Sequence, residues 1–322
     1  MTFLIGTDEA GYGPNLGPLV ISATVWRVRD DAGSDLYKLL RRVITAKPPP
    51  RQGSRGRRLA LADSKALYSP DRGLGLLERG VLTMLAVAGS PATTWREAWQ
   101  ALAPEALDAL ESECWYVGYD QPLPVAPLAD DALALGERLR QALADAGIEL
   151  LDVRSRVIFP GQLNRLLDEH GTKGAALSFL TFELLCGVLR RFDGQPVSVI
   201  CDKHGGRNRY QGLLQRHVDD WLVEVHGESR HESIYRWGPD GCRTEVRFRP
   251  RAEAFLPAAL ASMASKYLRE LAMRAFNDFW CTRVPDLRPT AGYPRDARRF
   301  KTAIEPVQAA LGVDDAHLWR VR

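Results

Sequence analysis

Residues 3–8, FLIGTD, form a short run of apolar and small residues that stops on two adjacent carboxylates, Asp8 and Glu9. A turn crowded with glycine and proline follows, AGYGPNLGP, and a second run, LVISATVW, begins at Leu19. This arrangement confines the opening of the chain to two strands joined by a tight connection. Neighbouring side chains on a regular strand point to opposite faces, so Asp8 and Glu9 can serve one site only where the strand ends and the backbone turns. Gly11 and Gly13 supply that ending, and they leave backbone N–H groups open to the close approach of a sugar or phosphate. Taken alone, the motif reads first as a turn capped by Asp8.

Further strand signals lie at 148–158, 196–202, 232–237 and 243–249. Helical spacing appears at 70–88, 132–146, 173–192, 208–225, 254–279 and 295–311. This alternation predicts an α/β fold, a mixed sheet flanked by helices. The 322 residues, 45% of them apolar, are enough for a sizeable core. Residues 90–160 differ from both flanks, being acidic and punctuated by proline, and read as an insertion expected to pack outside any binding groove. The predicted organisation is a main domain over 1–275 carrying that insertion, then a helical segment over 276–322.

Net charge is only +3, but residues 104–152 hold eleven Asp/Glu against two Arg, a local balance of −9. The remainder is basic. Residues 38–58 contain eight Lys/Arg and no acid in a Pro- and Gly-rich setting that reads as a mobile loop, and KHGGRNRYQGLLQR at 203–216 is a second basic stretch. Such asymmetry suggests a polyanionic partner held through phosphate contacts. The five cysteines form no C-x-x-C pair and are expected to be reduced and buried. No apolar stretch is long enough to span a bilayer and no signal-peptide pattern opens the chain, so a cytoplasmic protein without membrane contact is expected.

Isolated acids downstream corroborate the first pair. Asp202 ends the run VSVICD as Asp8 ends FLIGTD, and neighbouring strand ends would bring both carboxylates to one edge of the sheet. Glu270 lies one turn after Lys266 on a predicted helix; an i,i+4 ion pair is the plain reading of that spacing. Three or four grouped carboxylates are what oxygen-seeking Mg²⁺ or Mn²⁺ requires, and two such ions can clamp an in-line phosphoryl displacement.

These residues carry a resemblance. GTDEAGYGPNLGPLVISATVW resembles the opening of type 2 ribonuclease H (ribonuclease HII), LADSKAL at 61–67 its Asp-Ser-Lys block, and SVICD the strand bearing its third carboxylate. ASMASKYLRE is similar to its Ala-Ser-Ile-Leu-Ala-Lys helix, and AGYP with the tail DAHLWRVR to its Gly-Tyr-Pro and terminal His-Arg pattern. The blocks occur in the family's order and cover about 1–90, 160–205 and 253–322.

The resemblance implies a ribonuclease H-like fold with a helical C-terminal portion. It implies an endonuclease, expected to be monomeric, that cuts RNA in RNA/DNA hybrids or ribonucleotides embedded in duplex DNA, leaving 3′-hydroxyl and 5′-phosphate ends. Asp8, Glu9, Asp202 and Glu270 would bind two Mg²⁺ or Mn²⁺ ions. Gly11, Tyr12 and Gly13 would lie against the ribose 2′-hydroxyl, Tyr293 on the neighbouring sugar, and Lys65 and Lys266 against phosphates. Three departures mark this chain: Tyr12 stands where the family has arginine, Glu270 where it has aspartate, and Lys203–His204 follow the third carboxylate where it has glycine. His204 is expected at the surface, with a proton shuttle or phosphate contact as the alternative. A DNA-directed nuclease of the same group and a non-catalytic hybrid-binding protein are the rival readings.

Overall fold

The computed structural model describes residues 1–30, 35–49, 58–125, 132–218 and 220–321. Strands run β1 Thr2–Ala10, β2 Leu19–Val28, β3 Ile44–Thr45, β4 Leu59–Ala60, β5 Ile148–Ile158, β6 Val197–Asp202, β7 Glu224–Glu228, β8 Ser233–Trp237 and β9 Thr244–Arg249. Seven of them form one mixed sheet in the order β5-β2-β1-β6-β9-β8-β7, and β3 and β4 make a small separate pair. The strands β1, β6 and β9 are mutually parallel, whereas β2, β5, β7 and β8 join antiparallel. Consequently the C-terminal ends of β1, β6 and β9 share one edge, which is where open α/β sheets bind their ligands.

The alternation of β1 and β2 divides the core between the two faces of the sheet. Leu4, Val20 and Trp26 face one cluster and Phe3, Ile5, Ile21 and Val25 the other, as a side-chain period of two requires. Against the first face lies the long helix Leu256–Cys281, backed by Gly75–Val87 and Trp95–Leu102. Against the second lies Lys173–Leu189. The long helix starts hard on β1: a Cβ at Gly6 would stand 2.1 Å from the Ala258 nitrogen, so only glycine allows the approach.

The predicted mixed sheet flanked by helices is thus what the chain forms, and six strands lie within two residues of their predicted bounds. The stretch 208–225 differs. Its helix stops at Gln211–Leu214, because the Gln215 side chain donates to the Val218 and Trp221 carbonyls and accepts from the Val223 N–H, and β7 follows. β7 is exposed on both faces and so lacks the alternating pattern that would betray a strand. Residues 90–160 are woven into the core: β5 is an edge strand on β2, Trp95 and Trp99 are fully buried, and Trp95 Nε1 donates to the Leu271 carbonyl at 3.0 Å. Of the five free cysteines, Cys186 and Cys201 are buried as expected, but Cys114 is exposed. The basic stretch 38–58 contains a helical turn and β3 before residue 50; positions 50–57 lie outside the described residues. Among the described residues no single helix is long and apolar enough to cross a membrane.

Candidate active site

Pairing of Thr7 with Cys201 in the parallel β1–β6 ladder brings Asp8 and Asp202 to adjacent strand ends, as the sequence predicts. Asp8 and Glu9 are partly buried and, contrary to the expectation that the strand ends on them, still belong to β1, where they pair with Ser22 and Ile21 of β2; it is the ladder to β6 that stops at Thr7. The Asp8 carboxyl is held well above the usual carboxylate range by burial first and the Glu9 charge second. Burial and then the Asp202 charge push Glu9 up to about 7, with Lys65 acting in the opposite direction. Asp202 is raised by burial, while the backbone N–H groups of Ala252 and Lys203 and the Lys65 charge work against the shift. These three carboxylates therefore repel one another in a partly desolvated place.

The surroundings are tied down by the long helix. Ser265 Oγ donates to the Asp8 carbonyl at 3.0 Å and lies 2.7 Å from Ser22 Oγ, with which it shares a second hydrogen bond. One turn earlier, Ser262 Oγ donates to Ser64 Oγ at 3.0 Å, which docks the Asp63–Ser64–Lys65 turn on the same helix; Asp63 caps that turn by accepting from the Lys65 N–H. Lys65 is exposed and lies close enough to Glu9 and Asp202 to favour their charged forms.

Glu270 is engaged by neighbours of its own. Its carboxylate accepts from Lys266 Nζ at 2.5 Å and from the Tyr68 hydroxyl at 2.7 Å, with Arg269 Nη1 at 3.8 Å. Lys266 lies in the same group, 4.6 Å from the centroid of the Tyr68 ring. A further acid at this edge is Glu253, in the short turn Ala252–Ala254 between β9 and the long helix. Burial raises its carboxyl above the usual range, and the charges of Asp63 and Asp202 raise it further. The signal for it was available: β9 was legible as a strand, and a lone acid after its end obeys the same logic as Asp8 and Asp202.

Gly11 takes φ +87, and a Cβ there would fall 2.5 Å from the Pro18 carbonyl oxygen and 2.6 Å from Arg269 Nε. The Tyr12 hydroxyl stands over Gly174 and Gly205, and the ring of the half-exposed Tyr293 lies beside Gly13. His204 is not at the surface. It is only 4% exposed, its Nδ1 sits 3.0 Å from Ser178 Oγ, its backbone N–H donates to the Tyr210 hydroxyl, and burial pushes its imidazole down to about 3. The aromatic rings of Phe182, Tyr210 and Phe248 enclose it, a setting that local sequence could not reveal.

Among the described residues no three His, Cys, Asp or Glu side chains converge at metal-ligand spacing. The donor set still has the chemistry a hard divalent cation takes: oxygen only, several carboxylates at one edge, and no Lys, Arg or His nitrogen among the described residues paired with Asp8, Glu9, Asp202 or Glu253 within 4 Å. A divalent cation is the charge that would relieve their mutual repulsion.

No protein-family model and no curated protein matches the sequence. Solved structures similar to the chain include ribonuclease H2 from Pyrococcus horikoshii OT3, at 15% identity over 98% of this chain and 92% of that one, with a TM-score of 0.43. RNase HII from Archaeoglobus fulgidus, solved in a complex with PCNA, is 15% identical over 99% of this chain and 94% of that one, with a TM-score of 0.42. Bst-RNase HIII in complex with Mn²⁺ is 15% identical over 99% of this chain and 66% of that one, also at 0.42. The solved structures named here are ribonucleases H, the family whose sequence blocks this chain resembles.

Proposed function

We propose that the chain is a metal-dependent endoribonuclease that hydrolyses the RNA strand of RNA/DNA hybrids or ribonucleotides embedded in duplex DNA, leaving 3′-hydroxyl and 5′-phosphate ends. The observation that carries this reading is the set of mutually repelling carboxylates at the shared end of β1, β6 and β9, beside a glycine-bearing loop and an exposed lysine. Asp8, Glu9, Asp202 and Glu253 would hold Mg²⁺ or Mn²⁺, with Glu253 filling the fourth position in preference to Glu270. Bound divalent ions would supply an activated water and charge stabilisation at the leaving 3′ oxygen.

The protein's own groups do the positioning. Gly13 leaves room for a ribose to approach the backbone, where N–H groups can meet a 2′-hydroxyl, the group that separates RNA from DNA, whereas the missing side chain of Gly11 makes space for Pro18 and Arg269 and so shapes the loop from behind. Tyr12 lends a phenol in place of the family's arginine, and Tyr293, half exposed beside Gly13, offers a face for a neighbouring sugar. Lys65, on a turn docked to the long helix, would meet a phosphate, and its charge favours ionised Glu9 and Asp202. Lys266 is engaged by Glu270, so its phosphate role requires that pair to open.

Three end-labelled duplexes test the reading: an RNA/DNA hybrid, DNA with one embedded ribonucleotide, and all-DNA, each in Mg²⁺ and in Mn²⁺ with Asp8→Asn as control. Cutting confined to ribonucleotide-containing strands and lost in the variant is the expected result. Equal cutting of all-DNA would make the chain a DNA-directed nuclease. Hybrid binding without cleavage in either metal would make it a binding protein.

A further inference from the structure

The hairpin β7–β8 extends the sheet beyond β9, and its turn, Ser229–Glu232, lies at the same edge as the carboxylates. The turn is tied within itself: the Ser229 N–H donates to the Glu232 carbonyl, and Ser229 Oγ accepts from the His231 and Glu232 N–H groups. Lys203, next to Asp202, holds it from the side. Its Nζ donates to the Ser229 carbonyl at 2.5 Å and to Asn208 Oδ1 at 2.7 Å. Between this turn and the end of β9 lies a cleft of about 280 Å³ lined by Asp202, Lys203, Asn208, Arg230, Pro250 and Arg251.

Charge along β7, β8 and β9 and the turns between them is distributed unevenly. Arg236 pairs with Glu245, Arg243 with Asp240 and Glu224, Arg247 with Glu245 and Glu232, and Arg249 reaches Glu232. Among the described residues the three cations that line the cleft pair with no carboxylate within 4 Å; Lys203 is met by neutral oxygens only, and Arg230 and Arg251 are exposed. Arg251 moreover takes φ 59, a left-handed conformation that costs a non-glycine residue and that glycine would adopt freely. Positive charge from three segments is thus left unneutralised in a cleft that opens onto Asp202.

We propose that this cleft is a phosphate subsite of the polynucleotide groove, in which Arg230, Arg251 and Lys203 hold backbone phosphates of a bound strand to one side of the carboxylates. The assignment rests on the nucleic-acid reading given above, and the continuity of the cleft with Asp202 is what selects a polynucleotide as its occupant. Each neutralised phosphate contributes about 0.9 to the slope of log K against log salt on duplex nucleic acid.

The test is binding of a labelled RNA/DNA hybrid to the full chain over a salt series without divalent ions, read by fluorescence anisotropy, alongside the cleavage assay. Arg230→Ala with Arg251→Gly should flatten the slope by about 2 and weaken binding at least about tenfold near 100 mM salt. Arg251→Gly also relieves the left-handed strain, so its melting temperature should not fall, which separates lost charge from lost fold. Arg243→Ala, a paired arginine just before β9, should leave the slope unchanged. An unchanged slope and affinity in the double variant overturns the subsite. A flattened slope in a chain that cuts nothing keeps the subsite and removes the nuclease; no duplex binding by the unaltered chain removes both.

Discussion

Asn15 and Arg320, 305 positions apart, bind each other twice: the Arg320 N–H donates to the Asn15 carbonyl at 2.9 Å, and the Asn15 side-chain Nδ2 donates to the Arg320 carbonyl at 3.1 Å. The Arg320 guanidinium, fully buried, donates in turn to the carbonyls of Gly11, Pro14 and Gly17, and Arg269 to those of Leu16 and Ala291. Two buried cations therefore staple the loop that follows Asp8 and Glu9. Burial lowers the pKa of both, and for Arg320 the neighbouring Arg269 adds to the effect. Arg320→Met keeps the stem but strands three carbonyls, and should cost about 2–3 kcal/mol of stability and slow cleavage. Denaturant unfolding and initial rates check this; wild-type values for both would show that the loop holds its shape unaided.

Glu253 and Glu270 separate two accounts of the fourth carboxylate. Glu253 lies in the field of Asp202, whereas Glu270 is spent on Lys266 and Tyr68. Glu253→Gln should therefore lower the cleavage rate on the order of a hundredfold, with a compensating need for more Mg²⁺. Glu270→Gln should leave the rate within about threefold, since an i,i+4 pair contributes only a few tenths of a kcal/mol. Metal titration of both variants decides, and the reverse ranking would return the role to Glu270.

Much of this edge was legible in the sequence because strands advertise themselves by period and glycine by turns. Asp8, Glu9 and Asp202 are found by asking where apolar runs end, and the parallel ladder does the rest. Glu270 and Glu253 show the limit of that logic. Helical spacing correctly gives the Lys266–Glu270 pair, but it cannot say that the Tyr68 hydroxyl, two hundred residues earlier, joins it. The burial of His204 likewise depends on Ser178 and Phe182, from a helix more than twenty residues earlier in the chain. The acidic composition of 90–160 hides Trp95, Trp99 and β5, which no deletion of that stretch could spare.

Gly6 tests how the sheet and the long helix fit. A methyl group there would meet the backbone of Pro257 and Ala258 at 2.2 and 2.1 Å, and backbone cannot swing aside as a side chain can. Gly6→Ala should destabilise the fold by about 3 kcal/mol by forcing strand and helix apart. Because Ser262 and Ser265 on that helix hold the Asp63–Lys65 turn and the Asp8 carbonyl, activity should fall further than the lost folded fraction explains. Rates normalised to folded protein by circular dichroism would reveal a purely global effect if they stayed at the wild-type level.

Glu113 provides a pH signature independent of the site. It is 7% exposed, and burial pushes its carboxyl up to about 7 from the usual value near 4.5. In that interval the unfolded chain has released a proton that the folded chain retains, so stability falls as pH rises from about 4.5 to 7, and the penalty is fully present above 7. Glu113→Gln removes the ionisation while keeping the shape. The variant should match the wild type at pH 4 and exceed it by up to about 3 kcal/mol at pH 8, the value of the shift at 1.36 kcal/mol per pH unit. Urea unfolding of both chains at the two pH values measures the difference, and a gap that does not widen with pH would mean that Glu113 ionises in the folded state as freely as it does in water.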